Sequence, residues 1–334
     1  MRMILWIPAM MVLGCQGVNP AVHDPLRTDD PDKVMMGQAA AESASADSFM
    51  LRSFDGTYIE VHVRKPEGKG PFPAIHLLHG GLGGRPEGRM EVVANRHLPN
   101  FFLEKGYVVM ASEYRRYHFG VEEMYDVYAA YEKLESLPFV DRNRISVIGG
   151  SHGGYLAELL AMHKKPVCVV SLAGLVDIEA LYDRAQDFRK SFSTQEEGWA
   201  ILTMDKDERA RLMPFMEDAE LFKQNPVAKN MILAESVFEL ALRFEDNKDK
   251  YTEISPLQNA EKIQVPLLYI SGDLDPLTVN GRKLVEKMQM LGKIAELSIH
   301  PGVGHGFSTG YRNPHPEFYK AAEKMLNFIE AHSK

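Results

Sequence analysis

The chain's clearest chemical signal is a serine set between glycines where an apolar run passes into a helical stretch. Gly149-Gly150-Ser151-His152-Gly153 fits the pattern G-x-S-x-G, with Ile145–Ile148 before it and a helical pattern to about His163 after it. On such a sharp turn the serine Oγ stands clear of the backbone, and the next N–H, at the start of the helix, can face a developing negative charge. The chemistry implied is nucleophilic attack by Ser151 on a carbonyl. The backbone amide of His152 is then one candidate oxyanion donor.

A serine hydroxyl is a weak nucleophile until a base takes its proton, and the base needs a third group to hold its orientation. For a serine on this kind of turn the chain order is serine, acid, histidine. His305 is the expected base, in the loop Pro301-Gly302-Val303-Gly304-His305-Gly306-Phe307 that follows the apolar run Ala295–His300. Asp275 is the expected acid, in Gly272-Asp273-Leu274-Asp275 after Leu267–Ser271; Asp273 and Asp177 are its alternatives. His152 is adjacent to Ser151 in sequence, but the turn should aim its side chain elsewhere. The second oxyanion donor is expected in His79-Gly80-Gly81-Leu82, from the backbone N–H of Gly81 or else Leu82.

These residues need a scaffold that brings loops far apart in sequence to one edge. Phe49–Phe54 and Thr57–Arg64 are β-rich and joined by Asp55-Gly56, a hairpin signal. Phe72–Leu78, Tyr107–Ala111, Ile145–Ile148, Val167–Leu172, Pro266–Ser271 and Ala295–His300 are short apolar strands, alternating with helical stretches such as Glu91–Lys105 and Val121–Leu134. Strand–helix alternation predicts a mostly parallel sheet with helices on both faces, of the α/β-hydrolase kind, with the candidate residues at the C-terminal ends of the strands. Between Asp177 and Tyr251 only helical periodicity occurs, which predicts a helical cap inserted into the domain. Glu113-Tyr114-Arg115-Arg116-Tyr117 follows a strand at the same edge, as a wall of the substrate site or as a surface loop.

The amino end differs from the rest. Arg2 precedes an apolar stretch, Met3–Leu13, too short for the roughly 20 residues that span a bilayer. Residues 1–14 read as an export signal, and Val12-Leu13-Gly14-Cys15 resembles a bacterial lipobox, with Cys15 the lipidated residue. Residues 15–47 then form a polar tether, and 48–334 the hydrolase domain with its cap at about 177–251. This reading makes the protein an exported one of the cell envelope, with a membrane partner through the lipid; periplasmic or secreted protein is the alternative.

Other classes lack their signatures. Thirty-eight Lys and Arg against 46 Asp and Glu leave a net charge of −8, which disfavours nucleic acid as a partner. The 12 histidines include no H-E-x-x-H pair, and Cys15 and Cys168 form no zinc pattern, so no metal is expected. The glycines after His79 do not complete G-x-G-x-x-G, and there is no phosphate-loop lysine, so no cofactor is implied. The acidic run Glu245–Glu253 lacks the central glycine of a calcium loop.

Several stretches together resemble the catalytic domain of the prolyl oligopeptidase (S9) family. They are Val140–Ile145 leading into Gly149–Tyr155, then Ser255-Pro256-Leu257, Pro266-Leu267-Leu268 with Gly272–Asp275, and Pro301-Gly302 with Gly304–Phe307. The resemblance implies an α/β-hydrolase fold with Ser151, Asp275 and His305 as the triad, acting on a short peptide or a small ester. The chain ahead of Phe72 is shorter than the β-propeller of oligopeptide-cleaving members, and the Arg-Gly-Ser-type stretch of those peptidases is missing near Tyr114–Gly120. A carboxylesterase or dienelactone-hydrolase-like enzyme is therefore the close alternative, and a binding protein that has lost catalysis the remote one.

Overall fold

The computed structural model describes residues 47–81, 83–84, 87–94, 96–115, 120–180, 248–305 and 316–333. The expected signal segment, Cys15, nearly all of the tether, Leu82 and residues 181–247 of the expected cap lie outside the described residues.

Eight strands form one sheet in the order β1-β2-β4-β3-β5-β6-β7-β8. They are β1 (Asp47–Arg52), β2 (Tyr58–Arg64), β3 (Phe72–Leu78), β4 (Val108–Ser112), β5 (Val140–Gly150), β6 (Val169–Leu172), β7 (Leu267–Gly272) and β8 (Ala295–His300). The pairs β1–β2 and β2–β4 are antiparallel and every other pair is parallel. This is the α/β-hydrolase fold predicted from the alternation of elements. Because β3 to β8 run in one direction, the loops that follow them all emerge at one edge.

The helices among the described residues cover both faces. α3 (Glu123–Ser136), α4 (His152–Ala161) and α6 (Thr278–Met290) pack on one face; α1 (Arg89–Ala94), α2 (His97–Glu104) and α7 (Glu317–His332) pack on the other; α5 (Lys248–Glu253) is short. The strands show why their sequences read as unbroken apolar runs. On β7, Leu267 and Tyr269 enter one core while Leu268 and Ile270 enter the other. With both faces buried, alternation along a strand has no polar side to display.

Three local outcomes differ from the sequence expectation, the first two for a physical reason. The expected helix Glu91–Lys105 is two, α1 and α2: Pro99 lies in the first turn of α2, where its missing N–H costs nothing, but its ring would meet the carbonyl four residues back in a continuous helix. β5 begins well before Ile145 because Val140 already pairs with Phe72, ahead of an irregularity in which Asp141 accepts the Asn143 N–H at 3.1 Å and Arg144 Nε at 2.8 Å. Pairing with β3 shifts register there, from Phe72 opposite Val140 to Ala74 opposite Ile145. The hairpin turn falls where Asp55-Gly56 placed it, with Gly56 at φ +92° and the Asp55 carboxylate accepting the Thr57 N–H at 3.1 Å, but β1 starts and ends two residues earlier than expected.

Candidate active site

The end of β5 turns into α4 through Ser151, whose backbone lies at φ +53°, ψ −118°. A non-glycine residue in that region is strained by about 1–3 kcal/mol, and the surroundings must hold it there. They do: the Ser151 N–H donates to the Leu172 carbonyl of β6 at 2.7 Å, and the Ser151 carbonyl accepts the Tyr155 N–H at 3.1 Å. The flanking glycines are required by space. A Cβ on Gly153 would sit 2.3 Å from the Leu78 carbonyl oxygen at the end of β3, and one on Gly149 would sit 2.0 Å from the Gly153 carbonyl oxygen.

His305, after β8, brings its Nε2 to 2.9 Å from Ser151 Oγ. Its Nδ1 lies 3.0 Å from Asp275 Oδ2, on the loop after β7. Burial of His305 disfavours its charged form, but the Asp275 carboxylate beside it outweighs this, and the pKa rises above the ordinary 6.5. The Asp275 side chain is fully buried, and its second oxygen accepts the Leu277 N–H at 2.8 Å. The acid and histidine loops are also tied to each other: the Leu274 N–H donates to the Val303 carbonyl at 3.1 Å.

The two alternative acids sit elsewhere in the bonding. Asp273 Oδ1 accepts the Gly302 N–H at 2.8 Å, closing the turn ahead of His305. Asp177 Oδ1 accepts the Ala180 N–H at 3.1 Å, as a helix N-cap does. The structure therefore brings Ser151, His305 and Asp275 together and leaves Asp273 and Asp177 with structural bonds.

Gly81, after β3, takes φ +76°. The loop that carries it presses on the serine turn: a Cβ on Gly80 would lie 3.1 Å from the Gly150 carbonyl oxygen and 3.4 Å from Ser151 Cβ. The His152 side chain points away from Ser151 into a buried site, with Nε2 at 3.0 Å from Glu123 Oε2. The other Glu123 oxygen accepts the Gly120 N–H.

The described part of the stretch after β4 is neither a surface loop nor a site wall. Glu113, Tyr114 and Arg115 are all buried. Arg115 donates from its backbone N–H and Nε to Asp126 Oδ2 at 2.8 and 2.9 Å, and from Nη2 to Asp126 Oδ1 at 2.7 Å and Asp55 Oδ1 at 2.9 Å. The arginine in turn holds the Asp55 carboxyl well below the usual carboxylate range. The supporting acids Glu123 and Asp126 were missed in the sequence. Their signal was a pair of carboxylates in the first turn of a helix, on the side that also carries the buried Met124, Val127, Ala130 and Leu134. Among the described residues, no group of three His, Cys, Asp or Glu side chains is arranged to hold a metal ion.

A family model described as X-Pro dipeptidyl-peptidase (S15 family) matches residues 55–306, from the hairpin turn to just past the histidine loop. The chain belongs to the S15 peptidase family, a family of serine hydrolases. This S15 member is similar to dipeptidyl-peptidase 5 of Porphyromonas gingivalis, 25% identical over 223 residues that are 66% of this chain and 26% of that protein. Among solved structures it shares its fold with the acylaminoacyl peptidase of Pyrococcus horikoshii (TM-score 0.58, 19% identity, 86% of this chain and 41% of that one). It shares it equally with an esterase of Pyrobaculum calidifontis (TM-score 0.61, 20% identity, 90% of each chain). The S15 member thus spans about a quarter of the dipeptidyl-peptidase and under half of the acylaminoacyl peptidase.

Proposed function

We propose that this S15 family member hydrolyses an amide bond of a short peptide through an acyl-enzyme on Ser151. The observation that carries the reading is the continuous relay from Ser151 Oγ to His305 Nε2 at 2.9 Å and from His305 Nδ1 to Asp275 Oδ2 at 3.0 Å. His305 takes the Ser151 proton as Oγ attacks the carbonyl carbon. The amides of Gly81 and His152 hold the oxyanion. The C–N bond breaks as His305 protonates the leaving amine, and water, deprotonated by His305, then releases the acid and restores Ser151. Asp275 keeps His305 in the tautomer with its proton on Nδ1 and stabilises the imidazolium.

Family membership favours a peptide over other acyl compounds. The second reading, a carboxylesterase for small esters, draws on the esterase fold-mate of which this chain covers 90%. Aminoacyl-prolyl and acyl-aminoacyl anilides, assayed beside a short-acyl nitrophenyl ester, separate the two. Anilide cleavage that disappears in Ser151→Ala supports the peptidase. Ester turnover with inert anilides moves the assignment to the esterase, and turnover of both by Ser151→Ala would remove the mechanism.

For location we propose export and lipidation at Cys15, from the short apolar segment Met3–Leu13 that precedes Gly14-Cys15. Expressed with its amino end intact in a bacterial host, the protein should partition into detergent, and Cys15→Ala should move it to the aqueous phase. Equal partitioning of the two would dismiss the anchor.

A further inference from the structure

The loop that carries the Gly81 amide is held from behind by one buried tyrosine. Tyr114 has no exposed surface, and its Oη lies 2.8 Å from the His79 carbonyl oxygen and 2.7 Å from that of Gly81. Its ring stacks on His79 with centroids 4.4 Å apart, and its own carbonyl accepts the Gly84 N–H at 2.9 Å. The carbonyl between those two, of Gly80, lies 3.1 Å from His79 Nδ1. Glu113 Oε1 closes the arrangement, 3.0 Å from His79 Nε2 and accepting the Tyr114 N–H at 2.9 Å.

Three consecutive carbonyls, of His79, Gly80 and Gly81, therefore face the Tyr114–His79 stack. In a trans peptide the N–H points opposite to the C=O. The Gly80 and Gly81 amides are then turned away from the stack, and a Cβ on Gly80 would lie 3.4 Å from Ser151 Cβ. A stretch with glycine at 80, 81, 83 and 84 has little backbone stiffness of its own, whereas an oxyanion donor acts only if it is already aimed before the charge develops. The Tyr114 ring also lies 5.6 Å from that of His152, the residue whose amide is the other donor.

We propose that Tyr114, with His79 behind the loop, is a positioning residue that aims the Gly81 amide at the oxyanion. This rests on the Ser151 acyl-enzyme reading above. Tyr114 is fully buried and acts through the loop, not on the substrate. Its hydroxyl carries one proton for two carbonyls, so removing it frees both flanking peptide units at once, while the stack on His79 survives in phenylalanine.

Tyr114→Phe is the test, measured beside Ser151→Ala on the substrate that the parent turns over fastest. A substrate-like trifluoromethyl ketone, which forms a charged hemiketal with the serine, reports oxyanion binding directly. Loss of one whole donor costs about 10²–10³ in kcat, and a misaimed donor should cost about 10–100-fold. The expected result is that loss in kcat, a matching weakening of the ketone, and KM within about twofold. A merely structural role would lower the melting temperature without this split. If Tyr114→Phe does not fold, Glu113→Gln, which loosens His79, should show the same split at smaller size. Parent-like kcat and ketone affinity in a folded variant would overturn the clamp while an inactive Ser151→Ala left the acyl-enzyme reading standing. A Ser151→Ala that kept its activity would end both.

Discussion

Ser151 Oγ and His305 Nε2 stand 2.9 Å apart across a separation of 154 residues. The contact forms because β5 and β8, parallel members of one sheet, release their following loops at the same edge. The acid joins them from β7, the immediate neighbour of β8. The separation of the two aspartates on that acid loop makes the first prediction sharp.

Asp275→Asn should lower kcat by about 10³–10⁴-fold, because an amide side chain favours the wrong imidazole tautomer. Asp273→Asn, two residues away, should keep kcat within a few-fold. It loses charge on the acceptor of the Gly302 N–H, so its effect should be on melting temperature, at about 1 kcal/mol. Equal kinetic damage from both variants would mean that the acid was misassigned.

The pH profile follows from the Asp275–His305 contact. A carboxylate beside it holds the His305 pKa above 6.5, so kcat/KM should rise with pH through a midpoint above that value, as the imidazole loses its proton and becomes a base. In stability the sign is opposite: the raised pKa contributes fully below pH 6.5 and is lost as pH climbs through the folded value. Asp275→Asn should shift the kinetic midpoint down, and an unchanged midpoint would contradict the pairing.

Gly153→Ala tests the helix start. The new Cβ would meet the Leu78 carbonyl oxygen at 2.3 Å and the His79 carbonyl oxygen at 2.5 Å, both backbone atoms that cannot step aside alone. A loss of about 1–3 kcal/mol is expected from overpacking, read by denaturant unfolding, together with lower activity as β3 and the Gly81 loop shift. Gly88→Ala is a useful contrast for space, since its Cβ would meet nothing within 4 Å, although its φ of +83° still carries strain.

The Arg115 network should govern stability more than chemistry. Asp126 is fully buried and receives three hydrogen bonds from Arg115, so Asp126→Ala leaves the buried guanidinium with Asp55 as its remaining carboxylate and should cost about 3–5 kcal/mol. In protein still folded, kcat should remain within a few-fold of the parent. A variant as stable as the parent would show that Asp55 alone suffices to pair the arginine.

The sequence alone carried the sheet's strands and the glycine-flanked turn at Ser151, because those depend on neighbours. A buried parallel strand must be apolar throughout, as in Leu267–Ile270, and a serine at φ +53° between touching backbones demands glycine at 149 and 153. The loops that carry His305 and Asp275 were legible for a related reason, since each is a run of turn-forming residues after an apolar strand.

Only the tertiary structure decided which aspartate faces the histidine, because Asp273 and Asp275 lie on one short loop and differ only in direction. It also decided the fate of Glu113, Tyr114 and Arg115. A tyrosine and two charged residues after a strand look like surface, and burial becomes plausible only when their partners are known: the Gly loop from β3, Asp126 from α3 and Asp55 from the hairpin. Those partners lie 11 to 60 residues away. Polar groups are buried where distant partners satisfy them, and local sequence pattern carries no record of that pairing.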